Sequence, residues 1–164
     1  MSVIDELVGN NARYIPAIGQ SSLSLRPARH LAIVTCMDAR LDMFAALGLS
    51  QGDAHVLRNA GGVVTDDVIR SLAISQRLLD TRSVMLVHHT DCGMQQLSDD
   101  GFRAELQRDS GVAPAFAIES FKDVDADVRQ SILRVRRSHF LPYTDDVRGF
   151  VYVVATNRLR EVVV

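Results

Sequence analysis

Basic charge is scarce for a polyanion binder: 18 lysines and arginines stand against 20 aspartates and glutamates, a formal net charge of −2. No overall positive field recruits nucleic acid, and the arginines at 129, 134, 136 and 137 read as a solvated helix face. Long apolar runs are also missing, since a membrane-spanning helix needs about 20 consecutive apolar residues. The first ten residues carry Asp5 and Glu6 without a basic segment ahead of an apolar one, so they do not read as a secretory leader. The expected compartment is the cytoplasm, with no membrane partner. Tryptophan is absent, and cysteine occurs only at Cys36 and Cys92. Two cysteines in a cytoplasmic chain argue for metal or catalysis rather than a structural bridge. The lack of Cys-x-x-Cys excludes a thioredoxin-like redox motif. Cys36 and Arg40 stand too close together for a phosphatase cysteine loop, and no third cysteine is available to close a structural zinc site. There is no internal repeat, low-complexity tract or interdomain linker.

What is present is one domain's worth of chain. At 164 residues, 47% apolar and 23% charged, it can bury a core without metal, so any metal is expected to serve chemistry. Residues 1–164 read as a single domain, with residues 1–29 forming an N-terminal helix and arm. Ser2 and Asp5 form a weak capping box ahead of Val3, Ile4, Leu7 and Val8, and residues 9–11 (Gly-Asn-Asn) are expected to end that helix. Residues 12–29 read as irregular around Pro16, Gly19 and Pro27. Apolar residues on the helix favour docking, with a frayed terminus as the alternative.

Residues 30–35 read as a buried strand, 41–47 as a short helix stopped by Gly48, and 54–57 as a second strand. Asn59, Ala60, Gly61 and Gly62 form a tight turn that lets the backbone approach closely. Thr65 caps a helix whose apolar side carries Val68, Leu72, Ile74, Leu78 and Leu79. Residues 83–87 are a third buried strand running into His88 and His89. Beyond it come a helix over 99–108, a loop over 111–122, an amphipathic helix over 123–137 with Val124, Val128, Ile132 and Val135 on one stripe, a strand over 149–155, a turn over 156–158 and an edge strand over 159–164. Strands alternating with helices mean an α/β fold with a central, mostly parallel sheet flanked by helices.

Two segments carry the chemistry: Thr35-Cys36-Met37-Asp38-Ala39-Arg40 and His88-His89-Thr90-Asp91-Cys92-Gly93. Ligands of open parallel sheets bind beyond the carboxyl ends of the strands, where the winding reverses. If the first and third strands are neighbours, with the second outside the first, Cys36 converges there with His89 and Cys92. These residues make a Cys2His set for Zn2+ with a fourth position for water. The H-x-x-C spacing favours His89 as the ligand over His88, for which a hydrogen-bonded strand-end role is expected. Asp38 can accept a hydrogen bond from the zinc-bound hydroxide. Arg40 can hold Asp38 ionised through a bidentate pair, although a plain local ion pair would look the same. Released by Arg40, Asp38 could become the fourth metal ligand and close the site. Asn59, Ala60, Gly61, Gly62 and Gly93 are candidates for the substrate pocket. His30, His55 and His139 read as surface or strand-end residues, and Asp91 as a turn or cap residue.

Cys36-x-Asp38-x-Arg40 with His89-x-x-Cys92-Gly93 resembles the signature of the β-class carbonic anhydrases. Arg58-Asn59-Ala60-Gly61 and Thr65-Asp66-Asp67 resemble that family's connecting segment. The His-His-Thr-Asp-Cys-Gly-Met run is most similar to a small actinobacterial subgroup. The resemblance implies one zinc per subunit on Cys36, His89 and Cys92, an Asp38–Arg40 dyad beside it, and an antiparallel edge strand. It also implies a homodimer, paired in some members into a tetramer, with the N-terminal arm wrapped on the partner. The implied reaction is the reversible hydration of carbon dioxide by zinc-bound hydroxide to bicarbonate and a proton. With tryptophan absent, the tryptophan-containing bicarbonate pocket of one branch does not carry over. Two alternatives use the same residues: hydrolysis of carbon disulfide or carbonyl sulfide, or a non-catalytic zinc-binding regulatory protein.

Overall fold

The structure is a computed structural model in which residues 2–15 and 22–164 are described. Pro16 and Gly19, on which the expectation of an irregular arm partly rests, lie outside them. Five strands form one sheet in the order β2-β1-β3-β4-β5: β1 (Leu31–Cys36), β2 (Ala54–Asn59), β3 (Ser83–His89), β4 (Val147–Val153) and β5 (Arg158–Val162). β2, β1, β3 and β4 run parallel, and β5 returns antiparallel on β4, as the resemblance implied. β1 lies between β2 and β3, so the winding reverses there and the carboxyl ends of β1 and β3 stand side by side. The loops bearing Cys36 and Cys92 follow from those two ends.

Both faces of the sheet are apolar because the central strands are covered on both sides. One face meets α3 (Asp66–Leu79) and α5 (Val124–Arg136), where Ala32, Val34, Val84 and Leu86 pack with Val68, Leu72, Val128 and Ile132. On the other face Ile33 and Val87 pack with Leu41, Met43, Met94, Phe121 and Tyr152. Met43 begins the short helix α2 (Met43–Leu47), which Asp42 caps and Gly48 ends. Strand residues alternate between these faces, which sends the adjacent His88 and His89 in opposite directions.

Helix α1 (Val3–Ala12) has the Ser2–Asp5 capping box in place but runs on through residues 9–11. It stops at Arg13, whose backbone N–H turns back to the carbonyls of Asn10 and Asn11. Glycine within a helix costs about 1 kcal/mol relative to alanine, too little to end one by itself. Thr65 caps α3 by accepting from the Val68 N–H, but the buried face differs from the expected stripe. Ile74 and Leu78 are exposed, while Ser75 and Gln76 are buried. Buried polar groups need partners, and both have them: Ser75 Oγ bonds Thr81 Oγ1 and His55 Nδ1, and Gln76 exchanges hydrogen bonds with the Tyr143 backbone. Helix α4 (Asp99–Ser110) has no buried residue. The arginines of α5 are more engaged than a solvated face implies. Arg134 pairs with Glu119 and Asp66, and Arg136 donates to the Val147 carbonyl.

Candidate metal centre

β1 ends at Cys36 and β3 at His89, and a left-handed turn at Asp91, with φ 58°, brings Cys92 back beside them. All three side chains are buried, and one ligand atom from each lies within 4.8 Å of the other two. The thiols are free. His89 Nδ1 donates to the Thr90 carbonyl at 2.9 Å, which leaves Nε2 as the ring nitrogen available to a metal. That Nε2 is buried without a hydrogen-bond partner. An orphaned imidazole nitrogen among two thiols is a costly arrangement unless it meets a metal. Two sulfurs and one imidazole nitrogen form the donor set that suits Zn2+ with one position open.

The electrostatics agree with that reading. The Cys92 thiol beside Cys36, with smaller help from His89, pulls the Cys36 pKa down against the effect of burial. The same contact with Cys36, together with burial, pushes the Cys92 thiol up. Burial works against a charge on His89, but the neighbouring Cys36 outweighs it and raises its pKa. Three interacting groups that titrate against one another respond together to a bound cation.

His88 points to the opposite face and is fully buried. Its Nε2 meets Asp127 Oδ2 on α5 at 2.6 Å, and its ring packs against Phe121. It therefore ties β3 to α5. His30 bonds the Asp80 carbonyl, His55 bonds Ser75, and His139 is exposed.

Asp38 and Arg40 stand beside the cluster. Arg40 Nε and Nη2 donate to Asp38 Oδ1 and Oδ2 at 3.0 and 2.8 Å, and the Arg40 backbone N–H adds a bond to Oδ1 at 2.9 Å. These bonds hold the Asp38 carboxyl well below the usual carboxylate range. Asp38 Oδ2 lies 3.7 Å from His89 Nε2. Sequence reasoning missed three supports of the two ligand loops. Arg58 donates from Nε to the Cys36 carbonyl at 3.0 Å and from Nη2 to the Asp38 carbonyl at 2.6 Å. Asp91, read as a turn or cap residue, also accepts from Arg40 Nη1 at 2.9 Å. Lys122 donates to the carbonyls of Gln95 and Leu97 in the segment after Cys92. Arg58 lies within the resembling Arg58-Asn59-Ala60-Gly61 segment, but no pattern in the sequence assigns its target.

The residues 59–62 turn sits directly against the first cysteine. The Asn59 carbonyl accepts the Met37 N–H at 2.8 Å. At Gly62, with φ 73°, a Cβ would fall 2.8 Å from the Cys36 backbone nitrogen, so no larger residue fits without displacing the ligand loop. A Cβ on Gly61 would meet Phe121 and Met94, whereas one on Gly93 would meet open space. Asn59 Nδ2 donates to the Val63 carbonyl, and its Oδ1 is buried without a partner.

The sequence profile of the carbonic anhydrase family matches residues 31–140. The β-carbonic anhydrase 1 of Mycobacterium tuberculosis is 51% identical over 162 residues, covering 99% of this chain and 99% of its own. A carbon disulfide hydrolase of Acidianus sp. is 34% identical over 158 residues, covering 81% of this chain and 77% of its own. The solved structure of a carbonic anhydrase from Streptococcus mutans superposes with a TM-score of 0.89 at 43% identity, over 99% of each chain.

Proposed function

The chain belongs to the β class of carbonic anhydrases, and from that membership we propose that it catalyses the reversible hydration of carbon dioxide to bicarbonate and a proton, with Cys36, His89 and Cys92 holding one Zn2+ per subunit. The single observation that carries the metal assignment is the buried, unpartnered His89 Nε2 between two free thiols. Bound there, zinc would supply a hydroxide nucleophile by making its bound water more acidic.

The chain's own residues do the rest. Asp38, ionised through Arg40, accepts the hydrogen bond of the attacking hydroxyl group and turns its lone pair towards the substrate carbon. Arg40 holds Asp38 in a two-pronged grip that fixes its rotamer. The cysteines sit in an apolar cluster with Val63, Met94, Phe121 and Tyr152, surroundings that suit an uncharged linear substrate. Asn59, Ala60, Gly61 and Gly62 line the approach on the Cys36 side, and Gly93 leaves space on the Cys92 side.

The same reading makes a homodimer the minimum unit, with tetramers formed by paired dimers. It is supported by α1, where Val3, Ile4, Leu7 and Val8 are 60% to 71% exposed in a single chain. Among the described residues, no helix is long and apolar enough to cross a membrane, and the proposed compartment is the cytoplasm. The Acidianus relative favours a second reading, hydrolysis of carbon disulfide on the same residues. Stopped-flow assays of the zinc-loaded protein with carbon dioxide and with carbon disulfide decide between the two. Hydration well above the solvent rate supports the first reading. Turnover of carbon disulfide alone supports the second. Full zinc with neither activity leaves a metal-binding protein in which Asp38 fills the open position.

A further inference from the structure

Arg40 is shared between carboxylates from both halves of the site. One edge of its guanidinium grips Asp38, two residues away in the loop after β1. The other edge turns to the loop after β3, where Nη1 donates to Asp91 Oδ2 at 2.9 Å and Nη2 to the Asp91 carbonyl at 3.0 Å. Asp91 reaches this position through a left-handed backbone, φ 58°, which aspartate tolerates better than most residues but which still carries a cost.

The grip between Asp38 and Arg40 is local to their own loop and would travel with it. The bonds to Asp91 tie the pair to the segment that carries His89 and Cys92. That tie matters because Asp38 Oδ2 is only 3.7 Å from the unpartnered His89 Nε2, so a small swing of an unanchored Asp38 would bring a carboxylate oxygen into ligand range. We propose that Asp91 is a positioning residue: by holding Arg40 against the His89–Cys92 loop, it keeps Asp38 off the metal and leaves the fourth ligand position free. This rests on the reading that Cys36, His89 and Cys92 hold a divalent metal. Asp91 acts through Arg40 and is assigned no contact with the metal or the substrate.

The test substitutes cobalt(II) for zinc and follows azide binding at the fourth position through the visible spectrum. Asp91→Gly removes the carboxylate where the left-handed backbone suits glycine, and Asp91→Asn retains a neutral acceptor. The Asp91 side chain is 71% exposed, so its bond to Arg40 has the modest strength of an exposed ion pair. Azide is therefore expected to bind roughly two- to fivefold more weakly to Asp91→Gly, and less weakly to Asp91→Asn. Adding Asp38→Ala to Asp91→Gly should restore affinity to the wild-type level or above, because the competing carboxylate is gone. Equal azide affinity with and without Asp91 overturns the proposal, and so does a loss that Asp38→Ala does not relieve. A wild-type chain that takes up no cobalt overturns the metal reading and this proposal with it. A chain that shows the azide effect but does not hydrate carbon dioxide overturns the proposed activity alone and supports the role of Asp91.

Discussion

Asp38 is the residue whose loss should separate metal binding from catalysis. Asp38→Asn keeps its size and removes the charge, so zinc content should stay at one per chain while hydration falls by about a hundredfold, the lower end of what a positioned proton acceptor contributes. Atomic absorption alongside stopped-flow kinetics checks this, and an unchanged rate would remove Asp38 from the reaction. Two thiolates cancel the formal charge of the zinc ion, so hydration is expected to rise towards alkaline pH, in contrast to the behaviour of a site with three neutral imidazoles. A flat profile from weakly acid to alkaline pH would contradict that donor set. Gly62 carries the tightest backbone constraint beside the site. Gly62→Ala forces both a left-handed alanine and a contact with the Cys36 backbone, and is expected to cost at least the roughly 1–3 kcal/mol of a strained position, read as a lower denaturant midpoint.

At the level of elements, packing distances decide which substitutions are tolerated. Gly149 in β4 lies beneath α5, and a Cβ there would overlap Val128 and come within 2.7 Å of Ile132 Cδ1. Gly149→Ala should destabilise by about 1–3 kcal/mol through overpacking; an unchanged unfolding midpoint would mean that α5 can retreat freely. The strands were legible because β1 and β3 are short, β-branched apolar runs buried on both faces. Their order entered as a condition: Cys36 converges with His89 and Cys92 only if the first and third strands are neighbours, and they are. The clustering of Cys36, His89 and Cys92 was legible because the chain has only two cysteines and one of them closes an H-x-x-C spacing at the end of a strand. The buried face of α3 was legible only at Val68 and Leu72. Ser75 and Gln76 look like surface residues until their partners Thr81, His55 and Tyr143 are in place. The reach of Arg58 to two carbonyls and of Arg40 to Asp91 joins residues far apart in the chain, and no periodicity records such contacts.

For the whole molecule, charge placement sets the response to acid. Asp38 is held low by Arg40, Asp99 by Ser120 and Asp125 by Arg160. Each folded-state value lies below the unfolded one, so the native chain binds fewer protons than the unfolded chain in the acid range. Their contribution is complete above the unfolded value of about 4 and is lost as the pH falls through the folded values. The denaturant midpoint should therefore fall steadily below about pH 4, and Asp125→Asn should flatten that slope. A midpoint indifferent to acid would contradict the assignment. The central claim is that Cys36, His89 and Cys92 hold a zinc ion that the chain uses to hydrate carbon dioxide. Its most direct test is stopped-flow hydration at alkaline pH together with zinc content, for the wild type and Cys92→Ser. One zinc per chain with hydration far above the solvent rate, both lost in Cys92→Ser, is the result expected. Full zinc occupancy with no hydration above the solvent rate would contradict the account.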